Sequence, residues 1–506
     1  MNVPANKVMN SKVLLRSIPA VIGCLLIWTT ATALGEDKPV DIGSRRELFV
    51  DRFLIDSMRG TELRLHEPRE EGTVLRFDEP WEGIHCGYST MIKDGGLFRV
   101  YYRGMPADVK DGTSGEVTCV AESDDGLRWA KPKLGLFEVR GTKDNNVVYA
   151  GDPPFSHNFS PFLDVRPDCP ADQRYKALAG LSKSGLVAFV SADGLRWRKV
   201  RETAVIPEKA PFKFEWMFDS QNVAFWSEAE KKYVCYFRVW EGVRRIGRTE
   251  SSDYVNWSDP VLMKQMTDGK PSPAEDLYTN QTDPYFRATH LYVAVAARFI
   301  PGRQAISDED ARALKVAKGY EKDVSDAVLM TTRGGNIYDR TFLSSFIRPG
   351  IGPRNWVSRN NYPALGIVQT SPTEMSLYVN QDYAQPTAHL KRYSMRLDGF
   401  ASVQAPYSGG ELITKLLKFS GARLELNFAT SAAGSIRVEI QDEAGKPIVG
   451  FAAGDCVEII GNEIERVVRW KSGADVSNLA GKAVRLRFLM KDADLYALRF
   501  VGTTAK

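Results

Sequence analysis

The stretches SDDGLRW (Ser123 to Trp129), SADGLRW (Ser191 to Trp197) and SSDYVNW (Ser251 to Trp257) are one turn written three times. Asp-Gly supplies a positive-φ corner, and the closing tryptophan can plug the gap against a neighbouring strand. RGGNIYD (Arg333 to Asp339) and LDGF (Leu397 to Phe400) carry the series to five. Ahead of each turn come a polar start, a short apolar strand, a tight connection, an aromatic second strand and a third strand. The first two strands of the five copies read CGYSTMIKDGGLFRVYYR, HNFSPFLDVRPDCPADQRYKALAG, DSQNVAFWSEAEKKYVCYFR, YTNQTDPYFRATHLYVAVAAR and NNYPALGIVQTSPTEMSLYV. Four antiparallel strands repeated five times predict an all-β chain with a five-bladed β-propeller over residues 41–407. A repeated sandwich is the rival architecture, but its turns would not recur with this chemistry.

Outside the copies, ELFVDRFLI (Glu47 to Ile55) is a strand candidate for completing the last blade. AISDEDARALKVAKGYEK interrupts the fourth copy with a helical pattern, started by the capping-box-like pair Ser307 and Asp310. It reads either as a lid or as a plain surface helix. After Tyr407 the pattern changes to strictly alternating runs such as RLELNFAT and GSIRVEIQDEAGKPI, which predict a β-sandwich domain over 408–506. That domain reads as packing for the propeller or as an ancillary sugar-binding module.

The chain has 506 residues, 43% hydrophobic and 26% charged, a globular balance that at this length favours more than one domain. Residues 1–35 read as a signal peptide: Lys7, Lys12 and Arg16 precede the apolar run IPAVIGCLLIWTTATA, and Ala33 and Gly35 are small residues at a cleavage site. A membrane anchor is the competing reading, but the run is short and softened by threonines. The expected destination is secreted or periplasmic, without stable membrane insertion. Residues 1–35 carry three cations and no acid, so their removal takes the formal net charge from +4 to +1, which gives no argument for a nucleic-acid partner. The five cysteines beyond this segment are scattered with no C-x-x-C pair, so neither a disulfide framework nor a zinc site is expected. No cofactor and no metal ligand set are implied, although a calcium ion in the channel is left open. So is the oligomeric state.

In a propeller the first strand of each blade lines the central channel, and the starts of those strands converge on one face. Asp219, Gln221 and Asn222 therefore correspond to His157 and Asn158 in the second copy, to Tyr278 and Asn280 in the fourth, and to Arg359, Asn360 and Asn361 in the fifth. Such a polar ring suits a ligand rich in hydroxyls. Arg103, Arg238 and Arg298 each fall sixteen residues after the equivalent positions Gly87, Asn222 and Thr282, so all three are expected at the same mouth. Guanidinium forks suit a carboxylate or sulfate; the alternative is that they pair with Asp219 and Glu275 to fasten blades. Glycoside cleavage needs two carboxyl groups. Glu275 in PAEDLYTN is the expected acid, Asp219 the residue that orients the sugar or tunes that acid, and Glu82 in PWEGIHCGY the third carboxylate, with Asp51 as its alternative. Retention or inversion is not decided by the sequence.

These features resemble the five-bladed propeller glycosidases, the invertase-like and arabinanase-like clan of glycoside hydrolase families 32 and 43. The phrases LFVDRFLID, FDSQNVAFW, NNYPALGIVQTSPTE and TSAAGSIRVEIQD resemble more closely a group of secreted bacterial proteins that are themselves similar to family 32. The resemblance implies a glycosidase acting on carbohydrate, with Asp219 as transition-state stabiliser and Glu275 as acid/base. It also implies a nucleophilic Asp opening the first blade, where this chain reads HCGYS with no acid. Glu82 is then a displaced substitute, or the chemistry differs. A non-catalytic, lectin-like propeller is the alternative that this departure favours, and a structural or protein-binding propeller is the third reading.

Overall fold

Strand pairing in a computed structural model, which describes residues 38–208 and 216–502, follows the repeat. The expected signal peptide lies outside the described residues. The strands belong to the compact unit Pro39–Lys506. It is all-β with almost no helix: among the described residues the α-helix is Asp308–Ala313, accompanied by short 3-10 turns.

Three antiparallel sheets have four strands each. The first runs Gly87–Asp94, Leu97–Gly104, Val117–Ser123 and Val147–Ala150. The second runs Ser160–Leu163, Tyr175–Ala179, Val187–Ser191 and Arg198–Lys199, and the third Val223–Ser227, Lys232–Glu241, Val243–Ser251 and Val261–Leu262. A fourth sheet is built on Thr282–Tyr285, Ala288–Ile300 and Val324–Thr332, and a fifth on Tyr362–Pro363, Glu374–Gln381 and His389–Arg396. The first strands are neighbours in chain order from sheet to sheet, and Val368–Gln369 of the fifth returns beside Gly87–Asp94, where Thr90 and Leu365 form a parallel bridge. The arrangement is propeller-like.

The outer strand of the fifth sheet is Arg69–Arg76, antiparallel to His389–Arg396. This corrects the expectation for ELFVDRFLI. Glu47–Leu48 pairs instead with Arg485–Val501, and Ile55–Arg59 with Gly410–Thr414. Residues 47–65 thus pair within an eight-stranded sheet dominated by the long strands Arg423–Gln441 and Arg485–Val501, while Val40–Gly43 runs parallel to Leu417–Phe419 in a separate two-stranded sheet. That sheet has its own core, with Leu424, Phe428, Val438, Trp470, Phe488 and Phe500 at most 2% exposed. Its strict alternation sends every second side chain inward, and each fully buried Leu or Phe contributes about 1.5–3 kcal/mol.

The three Ser-x-Asp turns are built alike. Ser123 Oγ accepts from the backbone N–H of Asp125 and Gly126, while Asp125 Oδ1 accepts from those of Leu127 and Arg128. Ser191 and Asp193, and Ser251 and Asp253, repeat the same four bonds. The corner residue has φ of 73° at Gly126, 75° at Gly194 and 71° at Tyr254. Tyr254 takes a conformation that favours glycine because its buried ring packs on Tyr233 and Phe162 and its hydroxyl donates to Ala177 O at 2.6 Å. Burial opposes ionisation of Asp193 and Asp253, yet the donated backbone N–H groups hold both carboxyls down at about 2.

Candidate functional site

Strand register places the site at the opposite end of the sheets from these turns. Gly87 at the start of the first strand pairs with Arg103 at the end of the second, whereas Ser123 lies opposite Phe98 at the other end. In the third sheet the backbone N–H of Phe218 donates to Arg238 O, and in the fifth Tyr362 pairs with Asn380. These strand starts meet at one mouth. Several of its residues hold a positive φ without being glycine: Tyr88 (51°), Phe218 (67°), Gln281 (49°), Arg359 (59°) and Asn361 (61°). Each such backbone costs about 1–3 kcal/mol, and such strain gathers at functional sites.

The mouth is walled by tyrosines and arginines. Tyr88, Arg103, Tyr278, Arg359, Tyr362 and Tyr383 line a narrow cavity of about 10 Å³, space for about one water. Arg103 is buried; it donates to His85 O at 2.9 Å and Tyr383 Oη at 3.0 Å, and lies 4.8 Å from the Tyr88 ring centre. Arg238 forms an ion pair with Asp219 and stands 4.5 Å from the ring centre of Tyr278. Arg359 lies 5.1 Å from the Tyr320 ring and 5.2 Å from the Tyr278 ring, and donates to Tyr320 Oη at 3.1 Å. Among the described residues Arg359 has no carboxylate partner, and its Nε is buried without a hydrogen bond. Burial works against ionisation of Tyr278, but Arg359, Arg238 and Arg244 prevail and pull its hydroxyl down to about 8. Tyr88 moves the other way: burial and then Tyr278 push it well above the usual tyrosine range. His85, between the rings of Tyr320 and Tyr383, is driven down to about 4 by burial and Arg103, and neither of its ring nitrogens has a partner.

The other expected residues fall into distinct places. Asp219 is 63% exposed, and Arg238 ties it to the mouth. Glu275 is held away by two cations, Arg298 at 2.7 Å and the fully buried Arg340 at 2.6 Å. Arg298 also grips Asp326 at 2.6 Å, so it fastens the fourth sheet and does not join Arg103 and Arg238. Glu82 is buried beside the first sheet, where it accepts from Tyr102 Oη at 2.5 Å and pairs with Lys131 at 2.7 Å; burial raises its carboxyl. Asp51 pairs with Arg333 and accepts from Thr331. Each of the three expected catalytic acids is therefore paired with cations of its own.

His157 donates through Nδ1 to Glu116 at 2.8 Å, and Arg103 approaches its Nε2 at 3.4 Å. Asp111, Glu116 and His157 have ligand atoms within 4.8 Å of one another, but Arg103 lies 3.9 Å from Asp111 and 3.7 Å from Glu116 and supplies the positive charge a cation would bring. Asn158 is spent on the backbone, donating to Gly180, Phe218 and Ser220. Gln221 plugs the axis: it donates to Thr90 Oγ1 at 2.7 Å and accepts from Gln281 at 2.8 Å. Asn222 is buried with its Oδ1 unpartnered. Asn280 caps Thr282 N, Asn360 accepts from Tyr383 N, and Asn361 donates to Ser325 O. The polar strand starts thus answer mostly to the backbone.

Sequence reasoning missed Tyr88, Tyr320, Tyr362 and Tyr383. HCGYS holds the first of these, but it is informative as sequence only for its missing acid. Tyr320 arrives on the insertion in the fourth sheet, whose helix is capped as expected, Ser307 Oγ accepting from Asp310 N. A larger cavity, about 1060 Å³, lies elsewhere and is lined by residues that include Arg69, Arg287, Glu374 and Glu465. These charges pair among themselves, Arg287 with Glu465 at 3.1 Å and Arg69 with Glu374 at 3.6 Å, which marks a seam.

Comparison with known proteins returns no matching family and no matching curated protein. Solved structures with a similar fold include a protein titled a glycoside hydrolase, at 11% identity and TM-score 0.43, covering 65% of this chain and 92% of that one. An N-acetylgalactosamine deacetylase from F. plautii matches at 11% identity and TM-score 0.41, covering 67% of this chain and 96% of that one. An alpha-L-arabinofuranosidase from Clostridium thermocellum ATCC 27405 matches at 12% identity and TM-score 0.38, covering 60% and 88%. At these identities and scores the likeness transfers neither substrate nor site residues.

Proposed function

We propose that this protein is an exported carbohydrate-active enzyme, a five-bladed propeller with a C-terminal β-sandwich, and that its mouth takes an anionic saccharide. The observation that carries this reading is Arg359: a guanidinium among three tyrosine rings at a cavity, without an acid to neutralise it. A carboxylate or sulfate would satisfy its unused N–H groups, and the rings would stack on the sugar. The five sheets, with first strands adjacent in a closed series, support the blade count; the separate core of the eight-stranded sheet supports the second domain. The division proposed on this pairing gives residues 40–65 to the C-terminal domain.

Hydrolysis by Asp219, Glu275 and Glu82 finds less support. Two carboxyl groups about 5–10 Å apart must flank the scissile bond, and here each acid is bound to its own cations. That pairing favours a second reading, a lectin-like propeller using the same mouth. The test is calorimetric titration of the protein with neutral, uronic-acid and sulfated oligosaccharides, alongside Arg359→Met. Tighter binding of a charged glycan, weakened about tenfold or more by the substitution, is the expected result. Equal binding of neutral and charged glycans would overturn the anionic assignment.

A further inference from the structure

Resting on that reading of the mouth, we propose that Tyr278 and Tyr88 cleave a uronic-acid polymer by β-elimination, with Arg359 neutralising the sugar carboxylate. The acids expected to hydrolyse a glycosidic bond are each paired with cations, whereas the groups an elimination needs line one cavity. The ring proton α to a carboxylate is removable once a guanidinium cancels the carboxylate's charge. Arg359 is the guanidinium without an acid, and Arg103 is the second cation of the wall.

The step balances without a co-reactant. The Tyr278 phenolate takes the α proton, and the C–H electron pair becomes a carbon–carbon double bond. The β carbon–oxygen bond breaks, its electron pair leaves on the oxygen of the departing sugar, and the Tyr88 hydroxyl protonates that oxygen. A proton passing from Tyr278 to Tyr88 through solvent resets the pair. Products are an unsaturated uronate and a free sugar hydroxyl; nothing is oxidised or reduced.

The environments of the two phenols suit opposite roles, one ready to ionise near neutral pH and the other holding its proton. Tyr278 faces Arg238, Arg244 and Arg359 together with Tyr88 and Tyr362; Asp219 and Asp276 reach it only through Arg238 and Arg244. His85, uncharged at neutral pH with two free ring nitrogens, is placed to hold a sugar hydroxyl.

The experiment is incubation of the full chain with polygalacturonate, alginate and heparan sulfate, following both new reducing ends and the ultraviolet absorbance of the conjugated double bond. Both signals rising together is the expected outcome, with a rate that increases with pH through about 8 as Tyr278 ionises. Tyr278→Phe should lower that rate about 100-fold or more with oligouronate binding unchanged, and Tyr88→Phe should slow it with the same binding. Reducing ends without absorbance would mean hydrolysis and overturn the elimination while leaving the anionic reading standing. Binding without any product would overturn it in favour of a lectin. No binding of any uronate would remove both proposals.

Discussion

The two ends of the same strands are built on opposite rules. At one end, Ser-x-Asp turns satisfy themselves within seven residues: Asp193 accepts from Leu195 and Arg196 and pairs with the Arg196 side chain. At the other end the mouth is assembled across the chain, Arg103 meeting Tyr383 from 280 residues away. Of the three turns' side chains, only the indole N–H of Trp129 is buried without a partner, whereas those of Trp197 and Trp257 donate within their own turns. At the mouth Arg359 Nε, Arg238 Nη1, Tyr362 Oη and both His85 nitrogens have no partner. A protein keeps unspent buried donors at a cost of about 1–3 kcal/mol each, so the difference separates what holds the sheets from what is kept for a ligand.

That contrast can be broken by substitution, and the largest effect should come from Glu275. Glu275→Ala leaves the fully buried Arg340 without its counter-ion and should cost about 3–5 kcal/mol, measured by urea unfolding. Asp219→Ala, where the carboxylate is exposed but Arg238 is buried, should cost less, about 1–3 kcal/mol. Equal stability of the two variants, with activity lost only in the Glu275 one, would return Glu275 to the catalytic role that PAEDLYTN suggests.

The turns offer the next effect. Asp193→Ala removes the acceptor of two backbone N–H groups and should cost about 1–2 kcal/mol without touching saccharide binding. Because the folded carboxyl is held at about 2, below its unfolded value of about 4, its contribution is complete above the unfolded value and fades as pH falls toward 2. Acid unfolding of the wild type compared with Asp193→Asn, which keeps an acceptor oxygen and cannot titrate, should show the wild type losing the larger increment across that window. The smallest effect is Arg196→Ala. Its side chain is 70% exposed where it meets Asp193, so removal should change stability by no more than about 0.5 kcal/mol; a larger loss would mean the turn depends on the side-chain pair and not on the backbone bonds.

Much of the fold was legible because its signals are short-range. The turn residues, the alternation of strands such as RLELNFAT and the Ser307 cap all act within a few positions, so SDDGLRW and SADGLRW mean the same wherever they stand. ELFVDRFLI was legible as a buried apolar segment but neither as one strand nor as a partner: only Glu47–Leu48 and Ile55 lie in strands, the residues between them bend, and only the assembled core selects Arg485–Val501 over the fifth sheet. The candidate site was legible as a location, since equal spacing from the first strands puts Arg103 and Arg238 at one mouth. Arg298 has the same spacing and a different fate, because Asp326 and Glu275 stand within 2.7 Å of it.

By itself, then, the sequence determined an all-β chain of repeated antiparallel units, with turns closed by their own side chains and polar starts gathered at one end. Tertiary structure decided which charges are spent and which remain. Glu275, Glu82 and Asp51 are consumed by Arg340, Lys131 and Arg333, and Arg359 is left facing Tyr278 and Tyr320. The reason is physical: a hydrogen-bonded turn is a local property of seven residues, whereas the balance of charge in a buried mouth is a sum over side chains that only the closed ring brings within reach of one another.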